Sequence, residues 1–366
     1  MALIALYIPA ALDGAASSAG LTVVMATLLF VFPLAIWYRY SERIASSGGL
    51  YAFVEAATGP TIARVQAGFW IISYFLYLVY TVPYIVYDLL PVVFPEASRY
   101  GLLLDGLLVV LVTAIMLSPL IVTLSVTAAI AGLQIILAVV VAGVSLAHLG
   151  APASAFVGHG NFATVLVGAG KTSSLYICAS LPLFLGGEVR GGGRAVRRAL
   201  LWAFPVVAVL TIVAIVPLAN AGSAFINADI PGVLVAQTYS GRMLGVIVGV
   251  GVALSVAGLI IAEFIALSRL LGTIFRRPGR PMVMVISALF LPASLISLLN
   301  PKEAYSLLLK PSLVALWISQ LLVVAVYPLF VGRHRNALLG DVVLAAVASL
   351  LMLFGLYTAV TSSSGT

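Results

Sequence analysis

Two carboxylates, Glu188 and Glu263, sit at the ends of long apolar stretches. Holding an ionisable group within a membrane-length run is costly, so each is a functional candidate, and each has the alternative of an interfacial acid neutralised by a loop arginine. Glu188 follows directly on Gly186 and Gly187, which end the run SLYICASLPLFLGG, with Pro182 shortly before them. A proline and a glycine pair weaken a helix and free backbone amides and carbonyls. In lipid such a break survives only where protein covers it or where it lines a cavity, and broken helices are where many secondary transporters hold substrate. A simple kink, or close packing of small residues, is the plainer reading. The break makes Phe184, Leu185, Gly186 and Gly187 candidate substrate-binding residues. Trp70, Tyr74 and Tyr77 are spaced to share one helix face, where hydroxyls and π-faces serve either a ligand or ordinary bundle packing. Phe184, Gly186 and Gly187 are expected to face Tyr74 or Tyr77. Glu188 and Glu263 are the candidates for proton coupling, because a carboxylate that alternates between buried and hydrated surroundings exchanges its proton as the bundle rocks. Ser255 is the candidate for a cation site. Asp88 and Asp105 are expected near the membrane surface, where charge is cheap.

Other chemistries find no residues to carry them. His148, His159 and His334 are scattered, and the chain has no HExxH, no Cys/His cluster and no P-loop. No catalytic residue, metal site or cofactor is expected, and the chain is not read as an enzyme. Cys178 is the single cysteine, so an internal disulfide is impossible.

The elements that must position these residues are membrane helices. Of 366 residues, 63% are apolar and only 8% charged, with mean hydropathy +1.22. Soluble domains carry about 25% charged residues, so a soluble enzyme, a nucleic-acid binder and a disordered chain are excluded. The net charge of +7 does not mark a nucleic-acid partner, because the basic residues are strung between apolar runs rather than clustered. A span needs about 20 apolar residues. Gly14 to Tyr38, Val65 to Tyr87, two helices within Gly106 to Ala147 broken at Ser118-Pro119, Thr172 to Gly187, Ala199 to Ala228, Met243 to Ala262, Pro281 to Pro301, Pro311 to Gly332, and Val342 to the end make ten. The opening MALIALYIPAAL is half a span long and lacks the basic residues that precede a signal peptide's apolar stretch, so it is read as an N-terminal half-helix. Thirteen of the 18 Lys and Arg residues fall on one set of alternating loops and five on the other. The positive-inside rule then puts the N-terminus in the cytoplasm and the C-terminus outside. Leu149 to Lys171 and Asn220 to Arg242, both on the outer side, mix Gly, Pro and Asn with aromatics and are expected to form short interfacial helices or lids. With no linker or low-complexity break, residues 1–366 read as a single membrane transporter domain. A five-plus-five inverted repeat can be present without a readable trace in the sequence.

Four segments, in order along nearly the whole chain, resemble the amino acid–polyamine–organocation (APC) superfamily of permeases. RYSERIASSGGLYAFVEAATGP, with Glu42, Ser47, Gly48, Gly49, Tyr51, Phe53 and Gly59, is similar to the cytoplasmic segment after that family's second helix. LPLFLGGEVRGGGRAVRRAL resembles its broken sixth helix and basic tail, AEFIALSRLLGTIFRRPGRP the end of its eighth, and AYSLLLKPSLVALWISQLLVVAVYPLF its tenth. The resemblance implies an all-α integral membrane protein of the broken-helix, LeuT/APC-like five-plus-five inverted-repeat fold, with ten full spans plus the N-terminal half-helix. The first half of the family's helix 1, and its helix 12, are expected to be missing. The resemblance also implies a secondary active transporter in the cell membrane that carries an amino acid or related amine by alternating access, coupled to H⁺ or Na⁺ or working as an exchanger. The alternatives are a transport-inactive sensor or assembly partner of the same fold and, less favoured for want of an acid cluster or metal site, a membrane enzyme acting on lipid.

Overall fold

The structure, a computed structural model, describes residues 16–157, 162–277, 279–334 and 339–361. Among them, ten helices are long and apolar enough to cross a membrane. They are α1 (Ala19–Ser41), α2 (Pro60–Val92), α3 (Pro95–Leu117), α4 (Leu120–Leu149), α5 (Phe162–Leu185), α6 (Gly192–Asn220), α7 (Arg242–Ile274), α8 (Gly279–Ser297), α9 (Pro301–His334) and α10 (Leu339–Thr361). No strand occurs among the described residues. The number and order of spans are those expected; the half-helix expected over the first twelve residues lies outside the described residues.

The break between α3 and α4 has a local cause. Pro119 disfavours helical geometry at the residue before it, and Ser118 is extended there, with φ −69° and ψ 164°. Other boundaries move. The sequence ends the seventh span at Ala262, before its acid, whereas α7 continues to Ile274. Glu263 and Arg269 therefore lie inside a regular helix, since backbone hydrogen bonding continues through a carboxylate once neighbouring helices bury it. Phe162–Leu185 likewise begins ten residues before the expected Thr172.

α2 and α7 are the two most buried spans, with 61% and 67% of an apolar 18-residue stretch of each enclosed, against 17% for α4. Such a difference sorts core helices from lipid-facing ones. α2 packs on α7, α8 and α9, while α1 lies among α5, α6 and α10. The outward faces of α3 and α4 present Leu102, Leu103, Leu107, Ile121 and Ile136, the apolar exterior that a bilayer requires.

Short helices close the two ends. Ala153–Phe156, Ser223–Ile226 and Pro231–Ser240 fall in the two loops expected to hold such elements. Ala155 and Val235 from these loops join Ala19, Val23, Ile215 and Leu218 in a small apolar cluster there. At the other end the basic loops converge. Arg39 pairs with Asp341 at 2.7 Å, Arg197 with Glu42 at 2.9 Å and Arg269 with Glu188 at 2.9 Å. Arg333 donates to the Ala56 carbonyl at 3.0 Å, at the tail of the short helix Leu50–Thr58.

Candidate functional site

α5 is regular from Phe162 to Ser173 and then narrows to a 3₁₀ helix over Ser174–Leu185, with Pro182 inside it. A 3₁₀ run of twelve residues is far longer than usual and marks a strained or hinge-like segment. The irregularity therefore begins well before the glycine pair on which the sequence centres it. Gly186 and Gly187 form the turn that ends the span, and their role in packing is visible. A Cβ on Gly187 would stand 2.7 Å from Ser47 Oγ and 3.0 Å from its backbone nitrogen, and one on Gly186 would stand 3.1 Å from the Ser46 nitrogen. The pair lets the end of α5 lie directly on the loop after α1.

Phe184 is fully buried. Its ring sits 4.6 Å from Trp70, which stacks on Tyr74 at 4.0 Å. Trp70 thus stands between Phe184 and Tyr74, and the broken span meets the aromatic face of α2 through it. Tyr77 turns elsewhere and packs edge-on against Tyr80 at 5.2 Å. Leu185 is half-buried beside the core. The far side of the Phe184 ring rests on Gly49, whose φ of 52° lies in the region that favours glycine.

Glu188 and Arg269 form a two-pronged ion pair. Arg269 Nε stands 2.9 Å from Oε1, and Nη2 donates to Oε2 at 3.1 Å. The pair ties the end of α5 to the end of α7, with Ser47 Oγ 3.5 Å from the same carboxylate. Glu263 differs: it is 1% exposed within α7, and its Oε2 has no hydrogen-bond partner among the described residues. Ser255 is buried in the same helix.

The structure adds groups that the sequence reading missed or misplaced. Asp105 is not at the surface; it is wholly buried in α3, where it accepts from Ser294 Oγ at 2.9 Å and leaves Oδ1 without a partner among the described residues. Its position immediately before the charge-free run that starts at Gly106 suggested an interface, whereas α3 begins earlier, at Pro95, and α8 covers it. Gln320 in α9 is fully buried with both amide atoms unpaired among the described residues, next to Ser319, which accepts from Gln66 Nε2 at 2.9 Å. The signal is present in WISQLLVV, a polar pair inside an apolar run, although neither side chain is ionisable. Asp88 is half-buried, in the π-helical turn Ile85–Leu89 at the far end of α2.

The described histidines each have a local partner. His148 stacks on Tyr239 at 4.5 Å, His334 bonds the Phe330 carbonyl, and His159 lies outside the described residues. No group of three or more potential metal ligands occurs among the described residues.

A bundle with a loosened span seated on an aromatic face, and carboxylates held within the spans, defines a membrane protein of the broken-helix transporter class of folds. The comparison with solved structures agrees. The chain matches Mhp1, a nucleobase-cation-symport-1 family transporter in a closed conformation with bromovinylhydantoin bound, with TM-score 0.51 and 11% identity over 100% of this chain and 92% of that one. No protein-family model and no curated protein matches the sequence.

Proposed function

We propose that this chain is a secondary transporter that moves a small organic solute across a cell membrane by alternating access between the two ends of the bundle. The observation that carries the reading is Glu263. A carboxylate enclosed by a membrane protein costs several kcal/mol unless it is paired, and a chain that retains one with an unpartnered oxygen keeps it for a cation. A proton, a sodium ion and a substrate ammonium all fit that demand. The APC-like motifs favour an amino acid or related amine as solute. In this reading Phe184, Leu185, Gly186, Gly187, Tyr74 and Tyr77 belong to the substrate region, with Phe184 packed shut on Trp70. Glu188 and Glu263 couple proton movement to the conformational cycle. The Glu188–Arg269 pair is the bond that must open when α5 and α7 part.

The test is uptake into proteoliposomes of labelled amino acids and amines, with nucleobases and hydantoins as the second panel, under a proton gradient and then a sodium gradient. Gradient-driven uptake of an amino acid or amine is expected. Glu263→Gln should abolish it while exchange of bound solute persists, and Glu188→Gln should remove its pH dependence. Uptake that needs Na⁺ and ignores the pH gradient would overturn the proton assignment. Failure of every solute in both panels would turn the reading toward a transport-inactive sensor of the same fold.

A further inference from the structure

A cavity of about 280 Å³ opens among α4, α5, α6 and α7, with no residue of α2 in its lining. It is therefore separate from the Phe184–Trp70 seat. Its described lining holds no Asp, Glu, Lys or Arg; Glu263 follows the lining residue Ala262 but is not part of the wall. Two of its five polar side chains are already satisfied. Thr127 gives its hydroxyl to the Thr123 carbonyl at 2.9 Å, and Tyr176 shares a 2.6 Å bond with Thr27.

Ser255 and Gln134 are different. A helical serine ordinarily returns its hydroxyl to the carbonyl four residues back, which for Ser255 is Gly251. That carbonyl is occupied, because Gln134 Nε2 donates to it across the α4–α7 contact. Ser255 consequently makes no hydrogen bond among the described residues, although it is only 6% exposed. The same bond fixes the Gln134 amide, itself 7% exposed, and leaves its Oε1 as an acceptor with no donor among the described residues. Two nine-tenths-buried side chains thus offer the cavity one fixed acceptor and one hydroxyl, and the Cys178 thiol adds a weak donor.

We propose that this cavity is a binding site for an uncharged solute that has an apolar, ring-sized body and a carboxamide-like edge. The N–H of the edge meets Gln134 Oε1, its carbonyl accepts from Ser255, and the body lies on the aliphatic and aromatic wall. A zwitterion or ion is disfavoured, because a charge brought into this lining meets no countercharge and loses its hydration. The inference does not depend on transport, since binding is read with no gradient present.

The probe is tritiated 3-phenylpropanamide, bound to the full chain in lipid nanodiscs. Saturable binding is expected, with unlabelled amide competing and phenylalanine, a zwitterion with the same ring, failing to compete. Ser255→Ala and Gln134→Leu should each weaken binding about 3- to 10-fold, the effect of one neutral hydrogen bond. Neither should lower the melting temperature appreciably. Ser255→Ala removes no bond within the protein, and in Gln134→Leu the Ser255 hydroxyl is free to take the Gly251 carbonyl. Ala179→Phe, which fills the cavity, should abolish binding in protein that still elutes as a folded species. Equal competition by phenylalanine, or a requirement for Na⁺, would overturn the proposal in favour of a charged-ligand or cation site. Binding in detergent that vanishes in nanodiscs would overturn it by assigning the space to a lipid chain, and unchanged affinity in both polar variants would remove the amide edge.

Discussion

Gly49→Ala probes the contact between the loop after α1 and the broken span. Two costs add. Gly49 has φ 52° and ψ −126°, a conformation that a residue with a side chain adopts at about 1–3 kcal/mol. The new Cβ would stand 2.5, 2.6 and 2.7 Å from three atoms of the Phe184 ring. That ring is fully buried and backed by Trp70, so it cannot swing aside, and overpacking of this kind costs about 1–3 kcal/mol. The total is about 2–6 kcal/mol, which at about 2 °C per kcal/mol for a chain of this size lowers the apparent melting temperature by roughly 4–12 °C. Differential scanning fluorimetry in one detergent reads it. Phe184→Leu separates the two parts, since a smaller side chain relieves the clash but not the backbone strain. In the Gly49→Ala background it should cost at least about 1 kcal/mol less than in the native protein. A melting temperature within about 1 °C of native for Gly49→Ala, or no coupling in the cycle, would refute the reasoning.

Arg39→Ala should destabilise the fold by about 1–3 kcal/mol, because it strips the 2%-exposed Asp341 of its 2.7 Å partner. Adding Asp341→Asn should recover part of that loss, read by the same melting assay. In a Cys178→Ser background, Arg277→Cys and Leu299→Cys should label from opposite sides of sealed, right-side-out vesicles. Leu299→Cys should react with an impermeant maleimide at once, and Arg277→Cys only after permeabilisation. The reverse pattern would invert the topology.

Composition and the position of charges suffice for much of the fold. A membrane span is a local property of about 20 consecutive residues, so all ten could be counted without knowing what packs on what. The break at Ser118-Pro119 is local for the same reason, as is the gathering of the basic loops on one end, which requires only that spans alternate. Partner choice is not local. Which residues of α2 meet α5, and that Trp70 rather than Tyr77 takes Phe184, depend on how two helices distant in sequence are rotated and shifted against each other. The spacing of apolar residues in spans that are apolar all round carries little of that information. Depth was misread for Asp105 because a sequence shows distance from the end of an apolar run, whereas burial depends on the neighbour that covers it, here α8 with Ser294. Gly186 and Gly187 were legible as a weakness in the helix, but their close fit to Ser46 and Ser47 follows from where the preceding loop is brought. The free hydroxyl of Ser255 exists only because Gln134, 121 residues earlier in the chain, occupies the carbonyl that the serine would otherwise use, a competition that arises only when α4 and α7 pack together.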